Sequence, residues 1–143
     1  MLKFKQTSKK GYGLKIAIID DSWSVRMMIS ICLDELGIAD EEVFEFPSAK
    51  EALKDFGKNY YDLIFCDLHM PEMDGHELVE TVYKKYKHLN SSRLVMVSGE
   101  EDASYKERFK PFGVHQFIKK PIQPEAFLHH ITPLVKKIER REA

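Results

Sequence analysis

Residues 63–75, LIFCDLHMPEMDG, decide the fold of this chain. Four apolar residues run directly into Asp67, and Pro71 and Gly75 then turn the chain. A continuous apolar run followed by turn residues predicts a strand that is buried on both faces, as in a parallel sheet. Asp67 is therefore expected at the carboxyl end of a central strand, the edge where open α/β sheets bind their ligands.

Composition narrows the class of protein. The chain has 143 residues, of which 43% are hydrophobic and 31% charged, and this size and balance predict one domain with a real core. A formal net charge of -1 gives no argument for binding nucleic acid or membranes. The two cysteines, Cys32 and Cys66, form no C-x-x-C pair, so zinc and redox motifs are not expected. With no secretory signal or membrane-length apolar run, we expect a cytoplasmic protein.

Strand-like and helix-like runs alternate along the chain, at roughly 20 to 25 residues per pair. The apolar runs predict five strands, at residues 14–19, 43–46, 63–67, 94–97 and 116–118. Helical spacing of apolar residues between and after these strands predicts five helices, the fourth over residues 103–109. The expected fold is α/β: a doubly wound parallel sheet of five strands covered by helices on both faces, in three layers.

The domain is predicted to occupy residues 14–138. Residues 1–13 are rich in lysine and glycine, and we expect them to form a flexible basic extension. The charged residues 139–143 are expected to fray. Pro133 lies within the last helix and is expected to kink or shorten it.

Polar side chains follow four of the predicted strands, in the order Asp20, Asp21, Asp67, Ser98 and Lys120. If these strands are neighbours, their polar residues meet at one edge of the sheet. Clustered carboxylates repel one another unless a cation lies among them, and oxygen ligands suit Mg²⁺. An aspartate can also attack phosphorus as a nucleophile, while an ammonium and a hydroxyl neutralise the phosphoryl oxygens.

At this point the sequence resembles the receiver domains of two-component response regulators. The matching motifs cover most of residues 14–138 and are Asp20-Asp21-Ser22, Asp67 with Met70-Pro71-Glu72-Met73-Asp74-Gly75, Ser98-Gly99, and Lys120-Pro121. The resemblance implies a flavodoxin-like sheet with the strand order 2-1-3-4-5. It also implies that the bond between Lys120 and Pro121 is often cis.

The resemblance implies a role for each site residue. Asp67 would accept a phosphoryl group from a phosphohistidine on a sensor histidine kinase, and Lys120 would pair with the phosphate. Mg²⁺ would be bound by Asp21, Asp67 and the backbone carbonyl of His69, with Asp20 acting through water. Ser98 and Phe117 would move inward together. The surface formed by the fourth helix, fifth strand and fifth helix would then change for a protein partner.

Three positions depart from the common pattern of that family. Ser98 stands where threonine is most frequent and keeps the hydroxyl, whereas Phe117 stands where tyrosine is frequent and lacks one. His69, two residues after the acceptor, is more unusual. We expect the side chains of His69 and Glu100 to border the path of the hydrolytic water and to tune the lifetime of the phosphoryl group.

These residues predict a stand-alone phosphorylation switch and not a conventional enzyme. Its partners would be a sensor kinase, a chemotaxis-type target such as a motor or kinase array, and a phosphatase; it would be a monomer or a phosphorylation-dependent dimer. The alternative is a phosphorelay intermediate that passes the group to another histidine. Two other classes fit the sequence less well. A haloacid dehalogenase-type phosphatase would have a second aspartate at the position of His69, and a pseudo-receiver would have degraded site residues.

Overall fold

The five predicted strands are all present. They are β1 (Ile16–Ile19), β2 (Val43–Phe46), β3 (Leu63–Asp67), β4 (Leu94–Ser98) and β5 (Gln116–Lys119). All neighbouring pairs are parallel, and the order across the sheet is β2-β1-β3-β4-β5, as the resemblance implies. This computed structural model describes residues 13–142.

Helices follow each strand in turn. They are α1 (Trp23–Glu35), α2 (Ala49–Phe56), α3 (Gly75–Lys85), α4 (Ala103–Phe112) and α5 (Pro124–Glu142). Side-chain oxygens of Ser22, Ser48 and Asp74 accept hydrogen bonds from the first turns of α1, α2 and α3. The predicted doubly wound α/β fold with five helices is therefore confirmed.

The strands of the sheet centre are buried on both faces because helices cover both. In β3, Leu63 and Phe65 pack with residues of α1 and α5, while Ile64 and Cys66 pack with residues of α2, α3 and α4. Each face of the sheet thus has its own hydrophobic cluster, and the result is three layers. The helices leave the carboxyl ends of the strands as one edge at which side chains can meet.

Helix α4 differs from the prediction in both its type and its length. Residues Ala103–Phe112 wind as a 3-10 helix that runs through Pro111, whereas the sequence predicts a helix that stops near Phe109. Proline lacks an N–H, and in an α-helix its ring clashes with the carbonyl four residues earlier. The C-terminal half of α4 therefore cannot wind as a regular α-helix, and Gly113, with φ +75°, ends it.

The ends of the chain allow only part of the domain prediction to be followed. Of the predicted extension, residues 1–12 lie outside the described residues. Helix α5 continues through Pro133 to Glu142, so the segment expected to fray is helical as far as it is described. The boundary at residue 138 stays a prediction. Strand β1 begins two residues later than expected, at Ile16, although Leu14 is buried. Within residues 13–142 no helix is long and apolar enough to span a membrane.

Candidate functional site

Three carboxylates meet at the carboxyl edge of the sheet. Because β1 and β3 pair with Ile19 beside Cys66, the residues that follow, Asp20 and Asp67, are brought together. Both are buried, with exposed fractions of 1% and 4%, while Asp21 is exposed beside them. Each of the three offers a carboxylate oxygen, and these oxygens lie within 4.8 Å of one another.

Lys120 reaches this cluster from the end of β5. Its Nζ lies 3.0 Å from Asp67 Oδ1 and 3.2 Å from Asp20 Oδ2. The lysine is positioned by a backbone hydrogen bond to the carbonyl of Ser98 and precedes a cis bond to Pro121. Burial opposes the charge of Lys120, but its two carboxylate partners outweigh that effect and raise its pKa.

The cluster holds an excess of negative charge. Burial first, and then the charge of Asp20, raise the pKa of Asp67, although Lys120 and the backbone N–H of His69 act in the opposite direction. Three carboxylates against one ammonium leave an excess of two negative charges. Asp20 Oδ2 is buried and lies 3.2 Å from Lys120 Nζ, but it accepts no hydrogen bond from residues 13–142. This donor set fits a divalent cation such as Mg²⁺.

The loop after Asp67 is packed tightly against the strand that carries it. The N–H of Gly75 donates to the carbonyl of Leu68. A Cβ at Gly75 would lie 2.4 Å from the backbone oxygen of Asp67, so only glycine fits here. Glu72, in the same loop, has φ +70°, which is costly for a residue with a side chain.

Ser98 lies beside the cluster but does not bind Asp67. Its side chain is buried, with 2% exposed, and its Oγ accepts a hydrogen bond from the N–H of Glu100 at 2.9 Å. Phe117 is half-buried between the aromatic rings of Tyr105 and Phe109. The two predicted switch residues thus face α4 in this arrangement.

His69 and Glu100, each two residues after a predicted site residue, contact each other. Their side chains come from the loops that follow β3 and β4, and Nε2 of the histidine lies 3.0 Å from Oε2 of the glutamate. The two side chains are 67% and 38% exposed. The structure therefore brings together the two residues that the sequence predicts to tune the site.

Arg26 and Tyr105 also contribute to the site, and sequence reasoning did not identify them. Arg26 Nη1 donates to the backbone oxygen of Asp20 at 2.7 Å, while its Nε pairs with Glu45 at 3.0 Å. Tyr105 packs against Phe117, with ring centroids 5.7 Å apart, and lines a cavity of about 140 Å³ together with Ser98. The spacing of Arg26, one turn after the capping residue Ser22, was the one signal that could have indicated its position.

Helix α1 begins beside the acidic cluster and carries an apolar stripe. Trp23, Met27 and Ile31 recur every four residues, so they share one face of the helix. Their exposed fractions are 63%, 41% and 50%. This stripe of exposed apolar side chains begins two residues after Asp21 in the sequence.

Comparisons with known proteins identify the family of this chain. The family model described as "Response regulator receiver domain" matches residues 16–132. The chemotaxis protein CheY of Bacillus subtilis is 32% identical over 119 residues, which cover 82% of this chain and 94% of that protein. The solved structure of the chemotaxis protein CheY4 of Vibrio cholerae has a TM-score of 0.72 and 29% identity, covering 84% of this chain and 97% of that one.

Other relatives place the same kind of domain in different contexts. Protein PilG of Pseudomonas aeruginosa is 27% identical over 116 residues, covering 81% of this chain and 83% of that protein. Three further curated relatives are longer, and this chain spans only 31%, 50% and 49% of their length. The model match over most of the chain, together with the fold and the cluster around Asp67, establishes that the chain belongs to the response regulator receiver domains of two-component signalling.

Proposed function

We propose that this receiver domain is a signalling switch that is phosphorylated on Asp67. In the reaction a carboxylate oxygen of Asp67 forms a bond to phosphorus while the P–N bond of a phosphohistidine breaks. The imidazole keeps that electron pair and takes up a proton. The observation that carries the proposal is the contact of Asp67 with both Lys120, at 3.0 Å, and the acidic pair Asp20 and Asp21.

Mg²⁺ is the expected cofactor, and aspartyl phosphorylation with Mg²⁺ is typical of this family. Asp21, Asp67 and the backbone carbonyl of His69 would bind it, with Asp20 acting through water. The bound ion would neutralise the equatorial phosphoryl oxygens. Lys120, which already contacts Asp67, would pair with the phosphoryl oxygen on its own side.

Phosphorylation can be tested with acetyl phosphate and Mg²⁺, followed by the intact mass of the protein. We expect a gain of one phosphoryl group that is absent without Mg²⁺ and absent in Asp67→Asn. Asp40→Asn is the matched control, because Asp40 is exposed and lies in the turn before β2, at the other end of the sheet. A gain that survives Asp67→Asn would refute the proposal.

The same experiment separates the alternative classes. A pseudo-receiver would not gain the phosphoryl group at all. A haloacid dehalogenase-type phosphatase would turn over many phosphoesters rapidly, whereas a receiver releases phosphate slowly and only from Asp67. His69 occupies the position at which that phosphatase family has its second aspartate, which favours the receiver.

We assign the docking of the phosphodonor to the stripe of Trp23, Met27 and Ile31. The stripe is apolar, exposed and adjacent to Asp21, so a helical histidine-bearing domain packed on it would present its imidazole to Asp67. Large apolar side chains exposed on one face often mark such protein contacts.

Charged substitutions in this stripe separate docking from chemistry. We expect Met27→Glu and Ile31→Glu to slow transfer from a phosphorylated histidine kinase at least 10-fold. Labelling by acetyl phosphate, which needs no docking surface, should stay at the wild-type rate. Equal slowing with both donors would place the effect in the site itself and contradict the assignment.

The output surface is proposed to be the face of α4, β5 and α5, switched through Ser98 and Phe117. A groove of about 210 Å³ lies between β5 and α5, lined by apolar residues such as Phe117 and Phe127 and by polar ones such as Lys119 and His130. A chemotaxis-type output, on a motor or a kinase array, is the first choice because the chemotaxis protein CheY of Bacillus subtilis aligns over 94% of its length. A phosphatase would then end the signal.

A phosphorelay role makes the opposite prediction for the fate of the phosphoryl group. Phosphorylated protein should then lose the group within seconds to a histidine phosphotransfer domain, with recovery of label on that domain. A chemotaxis-type regulator should keep its label under these conditions. Size-exclusion chromatography with and without beryllofluoride would show whether the switch stays monomeric or dimerises.

The contact between His69 and Glu100 supports a role in phosphoryl lifetime, since the two side chains lie 3.0 Å apart and each comes two residues after a site residue, Asp67 or Ser98. Removing either side of the contact would give water freer access. We expect His69→Asn and Glu100→Ala to speed dephosphorylation several-fold, measured by intact mass after acetyl phosphate is removed. His115→Asn, at an exposed position before β5, is the control. An unchanged rate in His69→Asn would refute this role.

A further inference from the structure

Helix α1 places a largely buried arginine against the loop that carries the acidic pair. Arg26, one turn after the capping residue Ser22, has only 14% of its side chain exposed. Its Nη1 donates to the backbone oxygen of Asp20 at 2.7 Å, and its Nε donates to Glu45 Oε1 of β2 at 3.0 Å. The guanidinium thus uses two of its N–H groups to join the loop between β1 and α1 to the neighbouring strand.

The oxygen that Arg26 binds belongs to the peptide group between Asp20 and Asp21. A peptide group is planar, so holding its oxygen fixes the orientation of one acid relative to the other. The preceding peptide group is held as well, because the N–H of Asp20 donates to the carbonyl of Phe46 at 3.1 Å. In addition, Asp20 Oδ1 accepts the N–H of Ser22 at 2.8 Å. The backbone on both sides of Asp20 is therefore fixed by protein contacts alone.

Arg26 holds this peptide without reducing the negative charge of the site. Its charge is balanced by Glu45, whose side chain is 41% exposed, so the pair adds no net charge beside the three carboxylates. An arginine without an acidic partner would instead repel a cation at the same place. A role in holding the peptide and a role of charge alone therefore predict opposite effects on cation binding when Arg26 is removed.

We propose that Arg26 is a positioning residue that holds the peptide between Asp20 and Asp21 in the orientation in which the two carboxylates bind Mg²⁺, directly or through water. Glu45 orients the guanidinium for this task. This inference rests on the proposed function. Without the hydrogen bonds of Arg26 the loop would sample other orientations, and the apparent affinity for the cation falls with the fraction of molecules in the competent one.

The first test is a titration of Arg26→Met with Mg²⁺, followed through the backbone amide resonance of Leu68, the residue after Asp67. Methionine keeps an apolar stem and removes both hydrogen bonds. We expect Mg²⁺ to bind about 3- to 10-fold more weakly than to wild type. Arg140→Met, at an exposed position near the end of α5, removes the same charge and should bind Mg²⁺ as wild type does. Unchanged or tighter binding in Arg26→Met would overturn the proposal.

A charge-matched variant separates the hydrogen bonds from the charge. Arg26→Met combined with Glu45→Gln removes one positive and one negative charge, and we expect it to bind Mg²⁺ about as weakly as Arg26→Met alone. Arg26→Lys keeps the charge, but its single ammonium lacks the planar fork that reaches both partners, so it should also bind Mg²⁺ more weakly than wild type. Wild-type affinity in either variant would overturn the proposal.

The second test needs no cation. In metal-free Arg26→Met we expect the backbone amide of Ser22 to exchange hydrogen about 3- to 10-fold faster than in wild type, because its acceptor on Asp20 is less ordered. The amide of Gly75, which donates to Leu68 in another loop, should exchange at its wild-type rate. Faster exchange at Ser22 with unchanged Mg²⁺ affinity would overturn the proposal. Failure of the proposed function looks different, because wild type itself would then not bind Mg²⁺.

Discussion

Strand β3 carries a buried aspartate at each end, and the two differ in their partners. Asp62, before the amino end, and Asp67, at the carboxyl end, are each 4% exposed. Asp62 Oδ2 accepts the N–H of Lys15 at 2.9 Å, and its Oδ1 lies 4.0 Å from Arg93 Nη1, which also donates to the Asp62 carbonyl. Asp67 shares a single lysine with Asp20, a second buried carboxylate.

Equal burial therefore does not mean an equal role. At the amino end a buried acid is paired with a buried arginine of opposite charge, which is how proteins normally accommodate buried charge. At the carboxyl end negative charge is in excess, and such an arrangement is typical of a site that binds a cation or performs chemistry. Substituting the two aspartates in parallel should expose this difference.

The largest effect is expected for Asp62→Asn. The change leaves Arg93, which is only 7% exposed, without its counter-charge, and we expect it to lower the free energy of unfolding by about 3 kcal/mol. Urea denaturation monitored by circular dichroism would measure this loss, with Asp40→Asn as the surface control. A loss no larger than that of the control would mean that the pair at the amino end is not structural.

Gly75→Ala tests how rigidly the carboxyl end is built. The new Cβ would meet the backbone oxygen of Asp67 at 2.4 Å and Met96 Cε at 2.8 Å, and we expect a loss of about 2 kcal/mol. Gly99→Ala is the matched control in the neighbouring loop, where the nearest atom is Lys120 Cβ at 3.9 Å. Similar denaturation midpoints for the two variants would contradict the close packing at Gly75.

Asp67→Asn should have the opposite sign to Asp62→Asn. The pKa of Asp67 is raised by folding, so the ionised carboxylate destabilises the metal-free fold at pH values above that pKa. We expect the variant to melt a few degrees higher than wild type at pH 7. The gain should vanish as the pH falls below the ordinary pKa of aspartate, since the wild-type side chain is then neutral in both states.

The same melting curves test whether Mg²⁺ binds to the carboxylates of the site. Mg²⁺ should raise the melting temperature of wild type and raise that of Asp67→Asn much less, because one carboxylate ligand is gone. If Asp67→Asn melts at a lower temperature than wild type without metal, the predicted gain in stability is wrong. The attraction between Asp67 and Lys120 then outweighs the repulsion between Asp67 and Asp20.

Glu72→Asn should give the smallest effect. Asparagine tolerates the left-handed conformation of this residue, φ +70°, better than glutamate does, so we expect a gain of about 0.5 kcal/mol. Glu72 also lies 3.7 Å from Lys50 in an exposed ion pair of little energetic value. Lys50→Gln removes that ion pair without changing the backbone and should leave the thermal midpoint unchanged.

The fold and the centre of the site could be predicted because both depend on local pattern. Apolar runs locate the strands, and a polar residue directly after a strand must lie at the carboxyl edge of the sheet. Asp20, Asp67 and Lys120 follow from that rule, and parallel pairing then brings them together. The cap at Asp74 follows in the same way, from a side chain that bonds the first turn of its own helix.

The contacts of Phe117 with Tyr105 and of Arg26 with Asp20 could not be predicted. They join residues on different elements, and they depend on rotamers that packing selects. The 3-10 winding of α4 was missed for a related reason, since its apolar spacing permits an ordinary helix and Pro111 decides against it. The functional assignments of His69, Glu100 and Phe117 stay predictions, of which the experiments above address the first two.

The 3-10 winding of α4 also determines which of its side chains share a face. Ten residues wound in this way span about 20 Å, against about 15 Å for an α-helix of the same length. Residues four apart, such as Tyr105 and Phe109, point about 120° apart in a 3-10 helix and about 40° apart in an α-helix. A change of helix type would thus exchange the residues presented to a partner by rotation alone, without any movement of the sheet.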